Sequence, residues 1–390
     1  MLFGDDAPDI AAFRAEVQCW LREALPGSYA HHLQCLDPKI LRDWHRRMFE
    51  RGWVAPNWPR ENGGMGASLD EYLVLLDELT RAGAPYLLPT GITLLGPVLI
   101  AYGTPQQKAL HLPRILNGET FWAQGYSEAS AGSDLAALST RAVRGTDGAG
   151  DHFVVTGQKL WSSYAHIADW MFALVRTNPD AAPRHAGLSM LLIDLRSPGV
   201  TIQPLRTIAD QDEFAMVDFA DVRVPAENLL GPEGGGWKVA NHVLVWERLS
   251  NGSPRIALMT WRRVQAVAQA SGRSEDPAFR DQLAAAEIRL VAHLACYRDA
   301  VERVKRDEPI DAIAPLLKIS STELAQRFTE LLMIAAGEHG GALVLEEGLA
   351  RSVDVARSFL LTRRASIYGG SNEIQRNIVA ARVLGFPKAW

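Results

Sequence analysis

The stretch WAQGYSEASAGSDLAALSTRA, from Trp122 to Ala142, lies where the sequence changes from helical to strand patterns. Up to about Asn117 the apolar residues recur at helical spacing, as in IAAFRAEVQCWLREALP and LDEYLVLLDELTRAGAP. After this stretch come short segments rich in β-branched and aromatic residues, among them HFVVTGQKLW, DWMFALVRT, LSMLLIDL and FAMVDFADVRV. Strands that follow one another without helical crossovers favour an antiparallel barrel or sandwich.

The last part of the chain returns to a helical pattern. Beyond GPEGGGW, long stretches rich in Ala, Leu, Arg and Glu run from Trp237 to Ala270, from Pro277 to Arg306 and from Ile310 to Ala336. Long helices need partners for their apolar faces, so a helical bundle is expected. The sequence therefore predicts an α+β multidomain protein, with an amino-terminal helical domain at 1–120, a middle antiparallel β-barrel or sandwich domain at 121–232 and a carboxy-terminal helical bundle at 233–390.

Composition narrows the functional classes. The chain has 390 residues, of which 47% are hydrophobic and 22% charged, as in soluble globular proteins. Its net charge of −5 offers no basic footprint for nucleic acid.

The longest apolar stretch, GITLLGPVLIAYG, is too short to span a membrane, and MLFGDDAPDI lacks the basic segment of a signal peptide, so a cytoplasmic protein is expected. The scattered Cys19, Cys35 and Cys296 predict neither a disulfide framework nor a metal site.

Two polar stretches are candidates for ligand binding. YSEASAGSDL places the hydroxyls of Ser127, Ser130 and Ser133 around Gly132, an arrangement that suits a flavin edge or a phosphate. GQKLWSS places Trp161 beside two hydroxyls, which suits a stacked ring. From the residues alone, an exposed polar loop and a half-buried tryptophan are the commoner interpretation. The Gly-rich stretches GGMGAS, GPEGGG and GEHGGAL complete no nucleotide-binding motif and are interpreted as turns.

Taken together, four segments resemble the acyl-CoA dehydrogenases over nearly the whole chain. WPRENGGMGAS is similar to the amino-terminal region of that family, and WAQGYSEASAGSDLAALSTRA to its first signature. GQKLWSSYAHIADWMFALVRT is similar to the strand that follows, and IYGGSNEIQRNIVAARVLG resembles the carboxy-terminal signature. The helix–strand–helix order predicted above agrees with the fold of that family.

The resemblance implies FAD bound between the β-domain and the carboxy-terminal helices, with a neighbouring subunit covering its adenine end. Tyr126 and Ser127 would line the flavin ring, Trp161 would lie against it and Ser163 would bind its polar edge. Ser133 would face the pyrophosphate or the CoA arm. The remaining residues that the resemblance places at FAD are Gln124, Gly132, Arg273, Ser371 and Glu373, with Arg273 matched on spacing alone.

The turn in IYGGSNEIQR lacks the acid that many members of the family carry directly after the tyrosine. Here that position is Gly369. A minority of the family carries the catalytic glutamate on the helix after the β-domain, in a Glu-Arg-Leu segment, and VLVWERLSNG matches it with Glu247 as the base. A solvated surface charge and an inactive chain are the alternatives. Gly369 keeps the backbone N–H that would bind the thioester oxygen, and Arg248 falls near the CoA arm.

The reaction implied is the α,β-dehydrogenation of an acyl-CoA to the trans-2-enoyl-CoA, with electrons passed to an electron-transfer flavoprotein. A homodimer or homotetramer is expected. Two alternatives stay open: a flavin monooxygenase of the same fold, and one subunit of a hetero-oligomeric acyl-CoA dehydrogenase. The second is motivated by the region 334–362, where GEHGG only loosely resembles the run that holds FAD across the family dimer. Gly369 and a displaced base also indicate a branched or ring-bearing acyl group.

Overall fold

In the computed structural model, the residues described are 7–25, 38–85, 87–148, 150–242, 252–306, 308–341 and 355–387. Helices come first in the chain: α1 (Pro8–Ala24), α2 (Pro38–Glu50), α3 (Leu69–Arg81), α4 (Gly96–Tyr102) and α5 (Pro105–Leu116). Eight strands follow: β1 (Trp122–Gly125), β2 (Arg141–Asp147), β3 (Gly150–Ser163), β4 (Trp170–Arg176), β5 (Leu188–Asp194), β6 (Val200–Leu205), β7 (Phe214–Pro225) and β8 (Leu229–Leu230). The last group is again helical: α6 (Arg255–Ala270), α7 (Pro277–Lys305), α8 (Ala314–Ala336), α9 (Val355–Thr362) and α10 (Asn372–Arg382). This order confirms the predicted fold class.

The strands form one sheet in the order β6-β7-β3-β2-β4-β5-β8, and β1 pairs with β4 outside this path. The neighbours along the path are antiparallel, apart from a single parallel bridge between β2 and β4. The pair of β1 and β4 is parallel, with Trp122 opposite Trp170. The sequence did not predict this pair, which becomes possible because the β2–β3 hairpin carries the chain back before β4 begins.

Packing divides the chain into two compact units. The sheet unit comprises 33–68 and 85–246, and the helical unit comprises 1–32, 69–84 and 247–390. In the helical unit, α3 packs on the carboxy-terminal helices, because Leu73 lies in one buried cluster with Tyr297, Val301 and Leu317. The predicted domain boundaries at 120/121 and 232/233 remain a prediction.

The helix predicted from Trp237 to Ala270 is interrupted. Residues 236–242 are helical, residues 252–254 are not, and α6 begins only at Arg255. Pro254 explains the late start, because a proline disfavours helical geometry at the residue before it. Nowhere in the described parts of the chain is there a helix with the length and apolarity needed to cross a membrane.

Candidate functional site

The loop after β1 is a tight turn tied to the start of β2. Glu128 and Ala131 exchange two backbone hydrogen bonds, each 3.1 Å long. The Glu128 carboxylate accepts hydrogen bonds from Ser139 N at 2.7 Å, Ser139 Oγ at 2.8 Å and Thr140 N at 2.9 Å. These bonds fix the part of the chain that carries Tyr126 and Ser127.

A fully buried lysine lies directly beneath this loop. Lys159 Nζ donates to Glu128 Oε1 at 2.9 Å and to the carbonyl oxygen of Tyr126 at 3.1 Å. Burial lowers the pKa of Lys159 to about 8, although Glu128 opposes this shift. Burial alone would raise the pKa of Glu128, but Lys159 and the hydrogen bonds from Thr140 and Ser139 lower it to about 2. Each member of the pair thus favours the charged form of the other: Lys159 lowers the pKa of Glu128, and Glu128 raises that of Lys159.

Trp161 lies on a strained section of β3. The pairing of β3 with β7 shifts register between Lys159 and Ser162, and Trp161 has a φ of +63°. A positive φ is costly for a bulky side chain, and such outliers concentrate at functional sites. Trp161 is 57% exposed, and its ring meets that of Phe214 edge-on, with the ring centroids 5.9 Å apart. A large aromatic side chain is thus held outward at the strand end.

The loop of Tyr126 and Ser127 is joined to β3 next to Trp161. Leu160 N donates to the carbonyl oxygen of Ser127 at 2.9 Å, which joins the loop to β3 next to Trp161. Ser163 lies opposite Phe214 in the β3–β7 pair and is half-buried. The structure therefore brings Tyr126 and Ser127 close to the end of β3.

The other predicted residues of the sheet unit lie on β1 and in the same loop. Gln124 is half-buried on β1, opposite Phe172, and its Nε2 has no hydrogen-bond partner among the residues described. Gly132 and Ser133 are exposed, and a Cβ at Gly132 would meet no atom within 4 Å. The backbone at Gly132 is therefore open to the approach of a ligand.

The turn before α10 is built around two left-handed glycines, with φ of +61° at Gly369 and +78° at Gly370. Ser371 is the N-cap of α10 and accepts a hydrogen bond from Ile374 N at 3.3 Å. Gln375 Nε2 donates to the carbonyl oxygen of Gly369 at 2.9 Å. The turn is thus held from α10 itself.

The polar residues that follow the turn differ in exposure. Glu373 is exposed, and the pKa of its carboxyl is lowered by hydrogen bonds from its own backbone N–H and from Ser371. Asn372 is buried, and its Oδ1 accepts a hydrogen bond from the buried Lys318 at 2.9 Å. The first turn of α10 therefore carries one exposed carboxylate and one buried polar contact to α8.

Arg273 is exposed beyond α6, where its Nη1 lies 3.1 Å from Asp276 Oδ2. Glu247 and Arg248 lie outside the described residues. The chain that follows them is anchored at Ser253, whose carbonyl oxygen accepts a hydrogen bond from Ser321 Oγ at 2.9 Å. The sequence-based roles of these residues, like those of the other candidate site residues, stay predictions.

Sequence reasoning missed Lys159 and Glu128. Alternation along β3 places Lys159 on the same face as the buried Phe153 and Val155. A lysine in phase with a buried apolar face was the signal that could have revealed it, because lysine is almost never fully buried without a partner. The sequence held no comparable signal for Glu128 as that partner.

Family models match the chain in three consecutive parts. They are the N-terminal domain of acyl-CoA dehydrogenase at 7–119, its middle domain at 123–222 and its C-terminal domain at 234–384. Acyl-CoA dehydrogenase IpdE1 of Mycobacterium tuberculosis is 37% identical over 391 residues, covering 97% of this chain and 98% of that protein.

Solved structures agree with this similarity. The structure titled Tcur3481-Tcur3483 steroid ACAD is 31% identical with a TM-score of 0.89, covering 99% of both chains. A chain of the ChsE4-ChsE5 complex from Mycobacterium tuberculosis is 32% identical with a TM-score of 0.86, again covering 99% of both chains. By the matched domains, the similar relatives and the shared fold, the chain belongs to the acyl-CoA dehydrogenase family and is an oxidoreductase.

Proposed function

We propose that this enzyme uses FAD to convert an acyl-CoA thioester to the trans-2-enoyl-CoA. The observation that carries the proposal is the outward Trp161, held on a strained backbone beside the loop of Tyr126 and Ser127. A flat exposed aromatic surface edged by hydroxyl and backbone groups fits a tricyclic ring with a polar edge. The buried Nε2 of Gln124, without a partner in the described structure, adds a donor for the same ligand.

These residues would hold FAD as follows. Trp161, Tyr126, Ser127, Ser163 and Gln124 would contact the ring, and the open backbone at Gly132 and Ser133 would face the pyrophosphate. The further contacts proposed are those of Ser371, Glu373 and Arg273. When bound, FAD supplies the acceptor for the hydride that leaves the β-carbon of the acyl group.

The protein itself supplies the base and the oxyanion donor. Glu247 would take the proton from the α-carbon, whose C–H bond is only weakly acidic. The N–H of Gly369 would bind the thioester oxygen as negative charge builds up there, and one such donor contributes about 2.7–4 kcal/mol. As the proton leaves to Glu247 and the hydride leaves the β-carbon, the double bond forms between the two carbons.

The acyl group proposed is branched or carries a ring. Gly369 lacks a side chain at the position where many family members place their glutamate. Two similar solved chains come from a structure titled a steroid ACAD and from the ChsE4-ChsE5 complex. The missing side chain at Gly369 and the steroid in the name of one similar structure both favour an acyl chain attached to a ring system as the substrate. Arg248 and Ser133 would contact its CoA arm, and an electron-transfer flavoprotein would reoxidise the enzyme.

Two oligomeric states are candidates for this protein. A homodimer or homotetramer is the family expectation, whereas the names ChsE4-ChsE5 and Tcur3481-Tcur3483 each join two different proteins. These names favour a hetero-oligomer for this chain too, with part of the FAD contacts supplied by a non-identical subunit. Expression of this chain alone tests the choice, since a stable oligomer loaded with FAD would contradict the hetero-oligomer.

The reaction is tested by mixing the oxygen-free enzyme with straight, branched and ring-bearing acyl-CoA thioesters and following the flavin absorbance. We expect the wild type to bleach fastest with a ring-bearing substrate. Glu247→Gln should keep FAD but react about 10²–10⁴-fold more slowly, the usual contribution of a general base. The control Glu302→Gln changes an exposed helical glutamate and should react as the wild type.

Three outcomes would contradict parts of this proposal. Bleaching by Glu247→Gln at the wild-type rate would remove Glu247 as the base. A clear preference for unbranched chains would remove the ring-bearing substrate class. Substrate-dependent oxygen consumption that is undiminished in Glu247→Gln would instead favour a flavin monooxygenase of this fold.

A further inference from the structure

Lys159 and Glu128 form a buried ion pair that the proposed reaction does not use. Both side chains are buried, and their charged atoms lie 2.9 Å apart. Ions are costly to bury, and replacing a buried ion pair by apolar residues is often neutral or stabilising. A contribution to the stability of the sheet unit therefore does not explain why both charges are buried here. The alternative is that the pair holds part of the loop in a defined position.

The pair sets the direction of one peptide group. Lys159 Nζ binds the carbonyl oxygen of Tyr126 at 3.1 Å from the buried side. Because the peptide group is planar and trans, the N–H of Ser127 must point away from that carbonyl oxygen. The buried ammonium thus directs the N–H of Ser127 away from the core.

A second hydrogen bond from β3 fixes the peptide group that follows Ser127. Leu160 N donates to the carbonyl oxygen of Ser127 at 2.9 Å. Two successive carbonyl groups of the loop are therefore held by adjacent residues of β3, one through a side chain and one through the backbone. Trp161 is the next residue on that strand, so one section of β3 sets both the loop and the aromatic side chain.

Glu128 completes the arrangement by holding the ammonium in place. Its carboxylate is bound by Ser139 and Thr140 as well as by Lys159, so it cannot follow a lysine that moves. An apolar side chain at residue 159, such as methionine, could fill a similar volume but could not donate a hydrogen bond to the carbonyl oxygen of Tyr126. The position of the loop thus depends on a long side chain at residue 159 that donates a hydrogen bond, and Glu128 holds that donor in place.

We propose that Lys159 and Glu128 are positioning residues that orient the N–H of Ser127 toward the flavin ring. The proposal rests on the proposed function, because it requires FAD at Tyr126, Ser127 and Trp161. Under this proposal, the pair increases the affinity for FAD, and this effect can be measured separately from its effect on the stability of the sheet unit.

The test measures FAD binding by the apoprotein, with flavin fluorescence for the dissociation constant and thermal unfolding for stability. Lys159→Met leaves Glu128 buried without its partner, so it should lower the unfolding temperature and weaken FAD binding. The double variant Lys159→Met/Glu128→Gln removes both charges and keeps an amide oxygen for Ser139 and Thr140, so its unfolding temperature should recover part of the loss. Its FAD affinity should stay about tenfold weaker than the wild type, the loss expected for one hydrogen bond.

Two further variants separate the positioning of the loop from the stability of the protein. Val155→Ala truncates a fully buried side chain on the same strand, so it should unfold at a lower temperature yet bind FAD as the wild type. Glu128→Gln keeps an oxygen for Lys159 and leaves the bond to Tyr126 possible. It should therefore weaken FAD binding less than Lys159→Met, and the absorption spectrum of its bound flavin should stay closer to that of the wild type.

The outcomes distinguish the two proposals. If the wild type binds FAD and the double variant binds it equally well, the pair is only structural and the positioning role is overturned. Wild-type FAD affinity in Lys159→Met, with the protein folded, would overturn it as well. If the wild-type apoprotein binds FAD neither alone nor with a non-identical partner subunit, the proposed function fails and this inference fails with it.

Discussion

His111 shows how one residue makes the stability of the sheet unit depend on pH. Its buried ring meets Trp122 and Trp170, with ring centroids 5.1 Å apart in each pair. Burial, and to a lesser degree Arg114, lowers the pKa of His111 from 6.5 to about 4. The unfolded chain therefore binds a proton more readily between these values, so stability falls as the pH falls from about 6.5 toward 4.

Replacing His111 by phenylalanine should remove this part of the acid sensitivity. The loss of unfolding free energy between pH 7 and pH 4.5 should shrink by about 2 kcal/mol relative to the wild type. Urea unfolding at several pH values measures it. Val155→Ala serves as the control, because it lowers stability without removing a titrating group. A pH profile of His111→Phe parallel to that of the wild type would refute the assignment.

The turn before α10 shows how an element is fixed by backbone geometry. Gly370 has a φ of +78°, and a Cβ there would lie 2.7 Å from Gln375 Nε2. That nitrogen is the donor to the carbonyl oxygen of Gly369, so a side chain at 370 would displace the contact that holds the turn. The N–H proposed for the thioester oxygen belongs to the same turn, which links its backbone geometry to the proposed reaction.

Gly370→Ala should destabilise the protein by about 2–3 kcal/mol. The left-handed backbone accounts for about 1–2 kcal/mol, and the lost hydrogen bond for about 1 kcal/mol. Gly272→Ala is the matched control, since its φ is +72° and a Cβ there meets nothing within 4 Å. Urea unfolding of both variants gives the difference. If both lose the same free energy, the contact with Gln375 contributes nothing.

At the scale of the whole molecule, the helical unit is assembled from distant parts of the chain. Arg14 Nη1 on α1 lies 2.6 Å from Glu78 Oε1 on α3, and both side chains are largely buried. Lys305 Nζ at the end of α7 lies 2.7 Å from Asp70 Oδ1 on α3. Together with the cluster of Leu73, these contacts make α3 part of the core on which the carboxy-terminal helices pack.

A fragment of residues 233–390 should therefore fail to form a well-packed domain. Without α3, the apolar surface of Tyr297, Val301 and Leu317 would be exposed to water. We expect a lower helix content than the helices α6 to α10 give these residues in the intact structure, and strong binding of a hydrophobic dye. Circular dichroism and dye fluorescence measure both, with the intact protein as the control. Cooperative unfolding of the fragment without dye binding would contradict this prediction.

Local patterns determined the order of helices and strands and the choice of candidate loops. Apolar spacing and turn residues act over a few positions, so the position of the strand region and the loop from Tyr126 to Asp134 could be predicted. The same approach failed at 252–254, where Pro254 interrupts a pattern that otherwise looks helical. It also missed the parallel pairing of β1 with β4, which depends on how the intervening hairpin packs.

The sequence by itself determined the family, because its signatures are short runs read in order along one chain. Only the tertiary structure decided that Lys159 is buried and that Glu128, 31 residues earlier, is its partner. It likewise decided that α1 and α3 belong to one compact unit with the carboxy-terminal helices. The physical reason is the same in both cases. A buried charge or an apolar face fixes the kind of partner it needs, whereas the three-dimensional path of the chain selects which distant residue supplies it.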